Sequence, residues 1–414
     1  MKLEKYSFGI GDRFARQGAA QLAAFVMARQ NGIEVMPVWN KSHREHSTIG
    51  TSPQDVRSEA DAAVADLKWG NSYYVDADHI GLQNVELFVD SSDFFTLDVA
   101  DFSGKPAAAA DVAAFVDKHS DLVGKLDISG LSEALDITPA VIETAAGKYL
   151  LAVQEAGRIY RHIADRKGAD NFVTEVSMDE TDLPQTPLDM LIILAAIADE
   201  GIPVQTIAPK FTGRFNKGVD YVGDLAKFKA EFRSDLAVIR FAVEHFGLPD
   251  NLKLSVHSGS DKFSIYPVIG DLIREADAGL HLKTAGTTWL EELIGLADAG
   301  GDALSIVHEV YRLTYERYDE MCAPYASVID INQSLLPSPA AFASLSGADV
   351  VACLEHDQSC SAYNPNVRQL MHVGYKVAAE MGARFSDALQ QHAPIIAGHV
   401  TRNIYERHLT KIFR

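Results

Sequence analysis

Three histidines end, or lie within, short apolar runs that are far apart in the chain. His79 ends "VDADH", His257 ends "KLSVH", and His281 lies in "GLHLK". Neutral imidazole is the commonest protein ligand of divalent metal ions, and a catalytic ion takes about three protein ligands and one open position. If the three runs are neighbouring strands, they predict a divalent metal site, for which zinc, nickel, cobalt, manganese and iron are all candidates. For each histidine alone, a hydrogen-bonded residue of the core or rim is the alternative.

Two carboxylates occur in or near similar runs. Asp78 precedes His79 in "DADH", and Glu175 lies in "TEVSMDE". Carboxyl groups on opposite sides of a substrate can take a proton from one face and return it to the other. A structural ion pair with Lys283 or Lys210 is the alternative for each. The acidic pair in "SMDE" is read as helix-capping or loop-fixing at least as readily as catalytic.

Small residues and lysines follow two of these runs. The segments "HSGSDK" (257–262) and "KTAGTT" (283–288) place glycine, serine and threonine beside Lys262 and Lys283. Small residues let backbone N–H groups approach an anion closely, and the lysines add positive charge. An anion or hydroxyl clamp is therefore expected, with two tight turns as the alternative. The residues expected to contact a substrate are Asp12, Arg13, Lys210, Arg214, Ser258, Asp261, Lys262, Lys283 and Arg368.

Eight short apolar runs alternate with helical patterns over residues 1–300. Such runs read as buried parallel strands, and their alternation with helices predicts an α/β fold, a (β/α)8 TIM-like barrel. The site of such a barrel lies at the carboxyl ends of its strands. An open doubly wound sheet is the alternative, although "FGIGDRF" lacks the third glycine of a dinucleotide fingerprint. The predicted strands are 6–9, 34–38, 73–76, 87–90, 171–177, 203–208, 252–257 and 279–283, and the predicted helices are 14–31, 54–67, 186–200, 222–246, 266–277 and 288–299.

Two segments exceed the anatomy of a simple barrel. Residues 99–170 are rich in Ala and Asp and predict a helical insertion after the fourth strand. Residues 301–414 predict a helical C-terminal extension that packs on the barrel. We therefore expect a catalytic barrel domain at 1–300, with its insertion at about 99–170, and the extension at 301–414.

The composition limits the partners. The 414 residues carry a net charge of −20, which disfavours binding to the phosphates of nucleic acids. The three cysteines have no metal-like spacing and favour a reducing compartment. No apolar run reaches membrane-spanning length, and the first residues lack the apolar core of a signal peptide. We expect a cytoplasmic protein with a small-molecule partner and with no nucleic-acid or membrane partner; a homo-oligomer stays open.

Six ordered blocks extend across nearly the whole chain: "FGIGDR", "DADH", "EVSMDET", "HSGSDKFSIYP", "HLKTAGT" and "NVRQLMHVGY". Together they resemble the tagaturonate/fructuronate epimerases of bacterial hexuronate breakdown. The resemblance implies a divalent-metal-dependent enzyme that inverts the C4 hydroxyl of a keto-sugar acid without a nicotinamide. It implies metal ligands at His79, His257 and His281. It also implies that Asp78 is the proton acceptor and Glu175 the proton donor.

The implied reaction makes chemical sense. The C4 hydroxyl is β to the ketone, and its carbon has no acidified hydrogen, so simple deprotonation does not invert it. A retro-aldol step does, because the C3–C4 bond breaks, the aldehyde turns, and re-addition follows on the other face. A different proton shuttle stays open, as does the exact substrate, since relatives carry a longer segment before "FGIGDR". A metal-dependent aldolase or isomerase of a related sugar acid or ketose is the alternative enzyme, and a non-catalytic sugar-acid binding protein would not need the paired carboxylates.

Overall fold

Ten strands make up the two sheets of this protein, which is described here by a computed structural model covering residues 1–181, 183–284 and 286–414. Eight of the strands are parallel and close into a barrel, and two form a small antiparallel hairpin. The strands are β1 (Tyr6–Ile10), β2 (Met36–Ser42), β3 (Tyr74–Ile80), β4 (Phe94–Asp98), β5 (Gly124–Leu126), β6 (Leu135–Ile137), β7 (Val173–Ser177), β8 (Thr206–Ala208), β9 (Lys253–His257) and β10 (Leu280–Lys283).

The barrel confirms the predicted (β/α)8 fold. Its strands follow the order β1-β10-β9-β8-β7-β4-β3-β2, so that the first and last strands pair and close the sheet. Nearly every residue of these strands is buried, because the inner face fills the barrel and the outer face lies under helices. All the carboxyl ends open on the same rim, the mouth of the barrel, and residues from distant parts of the sequence meet there.

The six predicted outer helices begin within four residues of their predicted starts, and the helix at His43–Ile49 was not predicted. Thr186 accepts a hydrogen bond from the backbone N–H of Asp189, whose carboxylate accepts one from Thr186 in return, and Pro187 occupies the first turn. The helices from β1 to the one that follows β10 are α1 (Gly18–Gln30), α2 (His43–Ile49), α3 (Pro53–Leu67), α4 (Ala109–Lys118), α5 (Pro139–Lys167), α6 (Pro187–Asp199), α7 (Leu225–Phe246), α8 (Tyr266–Glu275) and α9 (Thr287–Ala299).

The fourth strand differs from its prediction. Residues 87–90 are not a strand: a short 3-10 turn ends at Leu87, whose side chain is 56% exposed. The strand is β4, seven residues later, and it pairs with β3 and β7. Two apolar runs follow one another in "ELFVDSSDFFTLD", and periodicity does not choose between them. The second run forms the strand because all of its apolar residues are buried, whereas the first run buries Phe88 and Val89 but exposes Leu87.

The segment between β4 and β7 is only partly an insertion. It contains α4, the hairpin of β5 and β6, and the long helix α5. Helix α5 packs against α6 and takes the place of the outer helix that a barrel needs after its fourth strand. The hairpin was not predicted, since strands of three residues are too short to show an alternating pattern.

The C-terminal extension is helical, as predicted, and packs on the barrel. Trp289 of α9 donates a hydrogen bond to the carbonyl of Met371 at 2.8 Å, and the rings of Tyr6 and Phe413 lie 5.1 Å apart. No helix in the described part of the chain is long and apolar enough to cross a membrane. The helices are α10 (Gly301–Glu316), α11 (Tyr318–Cys322), α12 (Pro339–Ala343), α13 (Gly347–Leu354), α14 (Pro365–Val373), α15 (Tyr375–Glu380), α16 (Ala383–Gln391), α17 (Ala393–Arg402) and α18 (Thr410–Phe413), with a π-helical turn at Asn403–Leu409 before α18.

Candidate active site at the barrel mouth

One ammonium group lies among three carboxylates inside the mouth. The Nζ atom of Lys283, on β10, is 2.7 Å from Asp76, 3.0 Å from Asp78 and 2.9 Å from Glu175. The hydroxyl of Thr96 bonds the same ammonium and donates to Asp76. Asp78 and Glu175 therefore approach each other, as predicted, and they do so through the ion pair with Lys283 that was their alternative interpretation.

The three carboxyl groups of this network have different acidities. Burial raises the pKa of each, and the charge of Lys283 opposes that effect. For Glu175 the charges of Lys283 and His257 win and hold the pKa well below its usual value. Asp78 also has a lowered pKa. For Asp76 burial and the two neighbouring carboxylates win and raise the pKa to about 7, so this group takes up a proton most readily of the three.

A bulge at the end of β3 brings two consecutive residues to the mouth. In a regular strand Asp78 and His79 would point to opposite faces. The pairing of β3 with β4 shifts between Ala77 and Ile80, and His79 has a φ of 52°. This left-handed conformation is uncommon for a residue other than glycine and costs about 1–2 kcal/mol. The surrounding fold sustains it, and both side chains reach the site.

His79, Asp179 and His257 form a triad that could hold a metal ion. Each offers one ligand atom, and these atoms lie within 4.8 Å of one another. His79 Nδ1 lies 3.1 Å from Asp98, and His257 Nε2 lies 2.8 Å from Glu175. When these two nitrogens carry the protons, His79 Nε2 and His257 Nδ1 are left as ligands beside the carboxylate of Asp179. A histidine that donates its second N–H to a carboxylate is typical of metal sites, so the donor set fits a divalent ion.

The charges around the triad favour a cation at this place. Burial lowers the pKa of a histidine, but nearby carboxylates raise the pKa of His79 well above its usual value and that of His257 to about 9. Burial likewise raises the pKa of Asp179, and the two histidines lower it far more. Protons on the histidines balance the carboxylates here, and a bound divalent ion would do the same.

His281 lies outside the triad, contrary to the prediction of three histidine ligands. It stands two residues before Lys283 on the same strand and faces the barrel interior one layer deeper. Its Nδ1 lies 2.8 Å from the hydroxyl of Ser7, and its ring packs 5.1 Å from that of Phe94. Burial lowers its pKa to about 3, so it is neutral. Asp179, which sequence reasoning treated as a loop or cap residue, occupies the third position instead.

Several residues predicted to contact substrate hold loops together in the structure. The Asp12 carboxylate accepts hydrogen bonds from the backbone N–H groups of residues 14–17 and fixes the turn into α1. The hydroxyl of Ser258 donates to the carbonyl of Lys283 at 2.7 Å. Lys210 donates to the carbonyl of Thr181. These contacts shape the mouth without occupying it.

The other predicted substrate residues lie in three different settings. Asp261 and Arg368 are fully buried and paired with each other at 2.6 Å, so a contact with substrate would require this pair to open. Arg214 forms an exposed ion pair with Asp330 at 2.6 Å. Arg13 and Lys262 are buried on the loops after β1 and β9, where Arg13 pairs with Glu45 and Lys262 donates to the hydroxyl of Ser260, each at 3.0 Å.

A closed barrel with acid–base groups and a histidine–carboxylate triad at its mouth defines a (β/α)8-barrel enzyme. The chain belongs to the tagaturonate epimerase family, whose model matches residues 1–393. This confirms the family indicated by the six sequence blocks.

Known proteins similar to this chain agree with that membership. The tagaturonate/fructuronate epimerase of Thermotoga maritima is 27% identical over 418 aligned residues, which cover 96% of this chain and 80% of the relative. A glycerol-bound crystal structure of fructuronate-tagaturonate epimerase from Cohnella laeviribosi has a TM-score of 0.81 at 22% identity, over all of this chain and 82% of that one. A probable tagatose 6-phosphate kinase from Sinorhizobium meliloti has a TM-score of 0.51 at 12% identity, over 99% of this chain and 100% of that one. Both crystal structures are similar in fold to this chain.

Proposed function

We propose that this protein interconverts tagaturonate and fructuronate by inverting C4, with a divalent ion bound by His79, Asp179 and His257. The observation that carries the proposal is the position of this triad directly beside Asp78, Glu175 and Lys283. Membership of the tagaturonate epimerase family supports the substrate. A bound ion would supply Lewis-acid stabilisation of the negative charge that develops on the ketone oxygen.

The proposed route is cleavage and re-formation of the C3–C4 bond. A base removes the O4 proton, the electron pair of the C3–C4 bond moves towards the C2 carbonyl, and C4 becomes an aldehyde. The aldehyde turns, C3 attacks its other face, and O4 recovers a proton. Every atom is retained, so the site must hold both fragments throughout.

Asp78 is suited to accept the O4 proton. Its lowered pKa keeps it ionised, and its carboxylate lies next to the triad as well as to Lys283. Glu175 is also ionised in the resting protein, because its pKa lies well below the usual value. As the proton donor, Glu175 must therefore first receive the proton that Asp78 removes from O4, and the Lys283 ammonium, 3.0 Å from Asp78 and 2.9 Å from Glu175, is placed to relay it.

The first experiment is an epimerisation assay with and without metal. The purified protein is stripped with chelator, reconstituted separately with zinc, nickel, cobalt, manganese and iron, and given tagaturonate, whose conversion is followed by NMR. We expect fructuronate to form only with a divalent ion. Release of three-carbon products would indicate an aldolase instead, and full activity in the stripped protein would contradict the metal site.

Ligand variants decide which residues hold the ion. We expect Asp179→Ala to weaken metal binding by at least about 10–100-fold, since even loss of a supporting contact has that effect. His281→Asn, one layer deeper, should retain the metal. Metal content after dialysis, measured by elemental analysis, gives the answer. The reverse result, metal lost in His281→Asn and kept in Asp179→Ala, would restore the three-histidine set.

A further inference from the structure

The mouth of the barrel has an acidic half and a cationic half. The triad and its carboxylates come from β3, β4, β7 and β9. The cationic residues come from β1, β8, β9 and α14: Arg13 follows β1, Lys217 follows β8, Lys262 lies on the loop beyond His257 of β9, and His372 reaches in from α14. We call these four residues the cationic cluster. Strands β8, β9, β10 and β1 are neighbours in the barrel, so the cluster occupies one continuous part of the rim.

His372 is the unusual member of the cluster. It is fully buried, and in the described part of the chain neither of its ring nitrogens has a hydrogen-bond partner. Its Nε2 faces Gly286, the N-cap residue directly before α9: a Cβ added to Gly286 would lie 2.5 Å from Nε2 and 3.2 Å from an Nη atom of Arg13. Gly286 has a φ of 99°, which suits glycine. A buried, unpartnered donor thus points at the positive end of a helix.

The two lysines of the cluster lack a carboxylate partner among the described residues. The ammonium of Lys262 is fully buried and bonds only the hydroxyl of Ser260, at 3.0 Å, and nearby backbone carbonyls. The Nζ atom of Lys217 lies 3.2 Å from the position that a Cβ of Gly259 would take. A buried cation without a paired carboxylate is costly, and Glu45 is already paired with Arg13, so an added anion would be stabilised beside the two lysines.

The pKa values of three residues of the cluster are lowered, as expected where a cation has no paired anion. Burial lowers the pKa of Lys262 to about 7, and it also lowers that of Lys217. The pKa of His372 lies well below its usual value, first through burial and then through the charges of Arg13 and Lys217. An anion placed among the four residues would stabilise their charged forms.

We propose that the cationic cluster binds the terminal carboxylate of the keto-sugar acid, with Lys217 and His372 as its previously unassigned members. The inference rests on the proposed function, and it fixes how the substrate lies: the carboxylate on the cationic half, the ketone and C4 towards the acidic half. Glu45 pairs with Arg13 at 3.0 Å and lies close enough to Asp78 for the charge of Asp78 to act on the pKa of Glu45. The two halves of the mouth are therefore separated by a short distance.

This orientation gives the cluster a task during the reaction. In a hexose oxidised at C6, cleavage of C3–C4 leaves the carboxylate on the three-carbon aldehyde. A carboxylate held by Lys217, Lys262 and the start of α9 keeps that fragment in place while its aldehyde turns. Retention of the fragment is what separates epimerisation from release of aldolase products.

Binding measurements with Lys217→Met test the proposal. Lys217 is half-buried on a loop, and the matched control is Lys167→Met, a half-buried lysine at the other end of the barrel whose amine donates to the carbonyl of Val89. The zinc-loaded full chain is titrated calorimetrically with tagaturonate and with neutral tagatose, and melting curves verify folding. We expect the dissociation constant for tagaturonate to rise on the order of 10-fold or more in Lys217→Met, and that for tagatose to stay constant. Lys167→Met should change neither.

The outcomes separate this proposal from the proposed function. Wild-type protein that binds tagaturonate through Lys217 but does not epimerise it would refute the function and retain the carboxylate site. Wild-type protein that epimerises tagaturonate, with an unchanged dissociation constant in Lys217→Met, would refute the carboxylate site alone. Equal weakening for tagaturonate and tagatose would also refute it, since that pattern indicates a general distortion of the mouth.

Discussion

Lys283 supplies one positive charge to three buried carboxylates, and this imbalance makes their pKa values differ. Asp76 has the raised pKa of the three, whereas the lowered pKa values of Asp78 and Glu175 keep these two ionised beside the triad. Replacing an ionised carboxylate by its amide keeps the shape and removes the base. The two carboxylates therefore differ from Asp76, whose protonated form an amide would imitate.

We expect Asp78→Asn and Glu175→Gln to lower turnover by roughly 10²–10⁴-fold, the usual contribution of a general acid or base. Asp78→Asn should retain its metal, whereas Glu175→Gln should also lose some affinity, because Glu175 orients His257 at 2.8 Å. Steady-state kinetics and metal analysis on the same samples check both statements. The control is Glu155→Gln, a buried carboxylate of α5 outside the barrel; wild-type rates in all three variants would remove both residues from the mechanism.

The sequence predicted which residues belong to the site better than it predicted which layer of the barrel interior each of them occupies. Strand ends in the sequence brought His79, His257, Asp78 and Glu175 into one group, and the structure places them together. The position of Asp179 beside the two histidines, with His281 outside that group, was not predictable, because alternate residues of a barrel strand face the same interior and the sequence does not tell which layer reaches the mouth. Asp98, the partner of His79, was hidden by the misplaced fourth strand.

Among the elements, β1 shows why a small residue is needed beside the site. A Cβ added to Gly9 would lie 2.9 Å from the side-chain nitrogen of Asn40 and 2.9 Å from Cγ of Lys283. Gly9 of "FGIGDR" thus serves the close packing of β1 against its neighbouring strands. The stem of Lys283 passes through the space that any larger residue would fill.

We expect Gly9→Ala to cost about 1–3 kcal/mol of stability through overpacking and to reduce turnover by displacing Lys283. Gly147→Ala is the matched control, since a Cβ there meets nothing within 4 Å and the residue lies within α5. That control should be stabilised by about 0.5–1 kcal/mol. Thermal unfolding and steady-state rates are compared for the two variants. Equal melting temperatures would show that β1 tolerates the methyl group.

Helices and strands were predicted where the sequence carries a local signal, such as a capping residue, a proline or an apolar run. Caps and prolines at helix starts predicted α6, and buried apolar runs predicted seven of the eight barrel strands. The strand β4 failed because two apolar runs compete, and the bulge at His79 is invisible because it depends on pairing with β4. Such features come from long-range contacts rather than from the sequence near them.

At the scale of the whole molecule, the extension is joined to the barrel by a buried charge. Asp261, on the loop after β9, accepts hydrogen bonds from Arg368 at 2.6 Å and from Thr287 at 3.0 Å. His356 and His408 each approach the same carboxylate to 3.3 Å. The predicted boundary at residue 300 is therefore crossed by the most buried ion pair of the described chain, and the extension completes the loop that carries Lys262.

Two arginines that pair with aspartates across this boundary allow a matched comparison. Arg368→Met leaves the buried Asp261 uncompensated, and we expect it to destabilise the protein by about 3–5 kcal/mol. Arg214→Met breaks an exposed pair, with side chains 61% and 67% exposed, and should cost about 0–1 kcal/mol. Denaturant unfolding of both variants measures the difference. Similar midpoints would mean that the extension is not held by Asp261.

The anchoring of Asp261 also sets an order of events during synthesis. All eight barrel strands have been made when Lys283 has been added, yet the loop after β9 still holds a carboxylate whose partners come from Arg368 and His408. At about 5–20 residues per second, the ribosome needs on the order of 10 s to reach the last of them. During that interval all eight strands have been synthesised while two of the groups that bind Asp261 have not, so the loop after β9 gains its full anchorage only with the final helices.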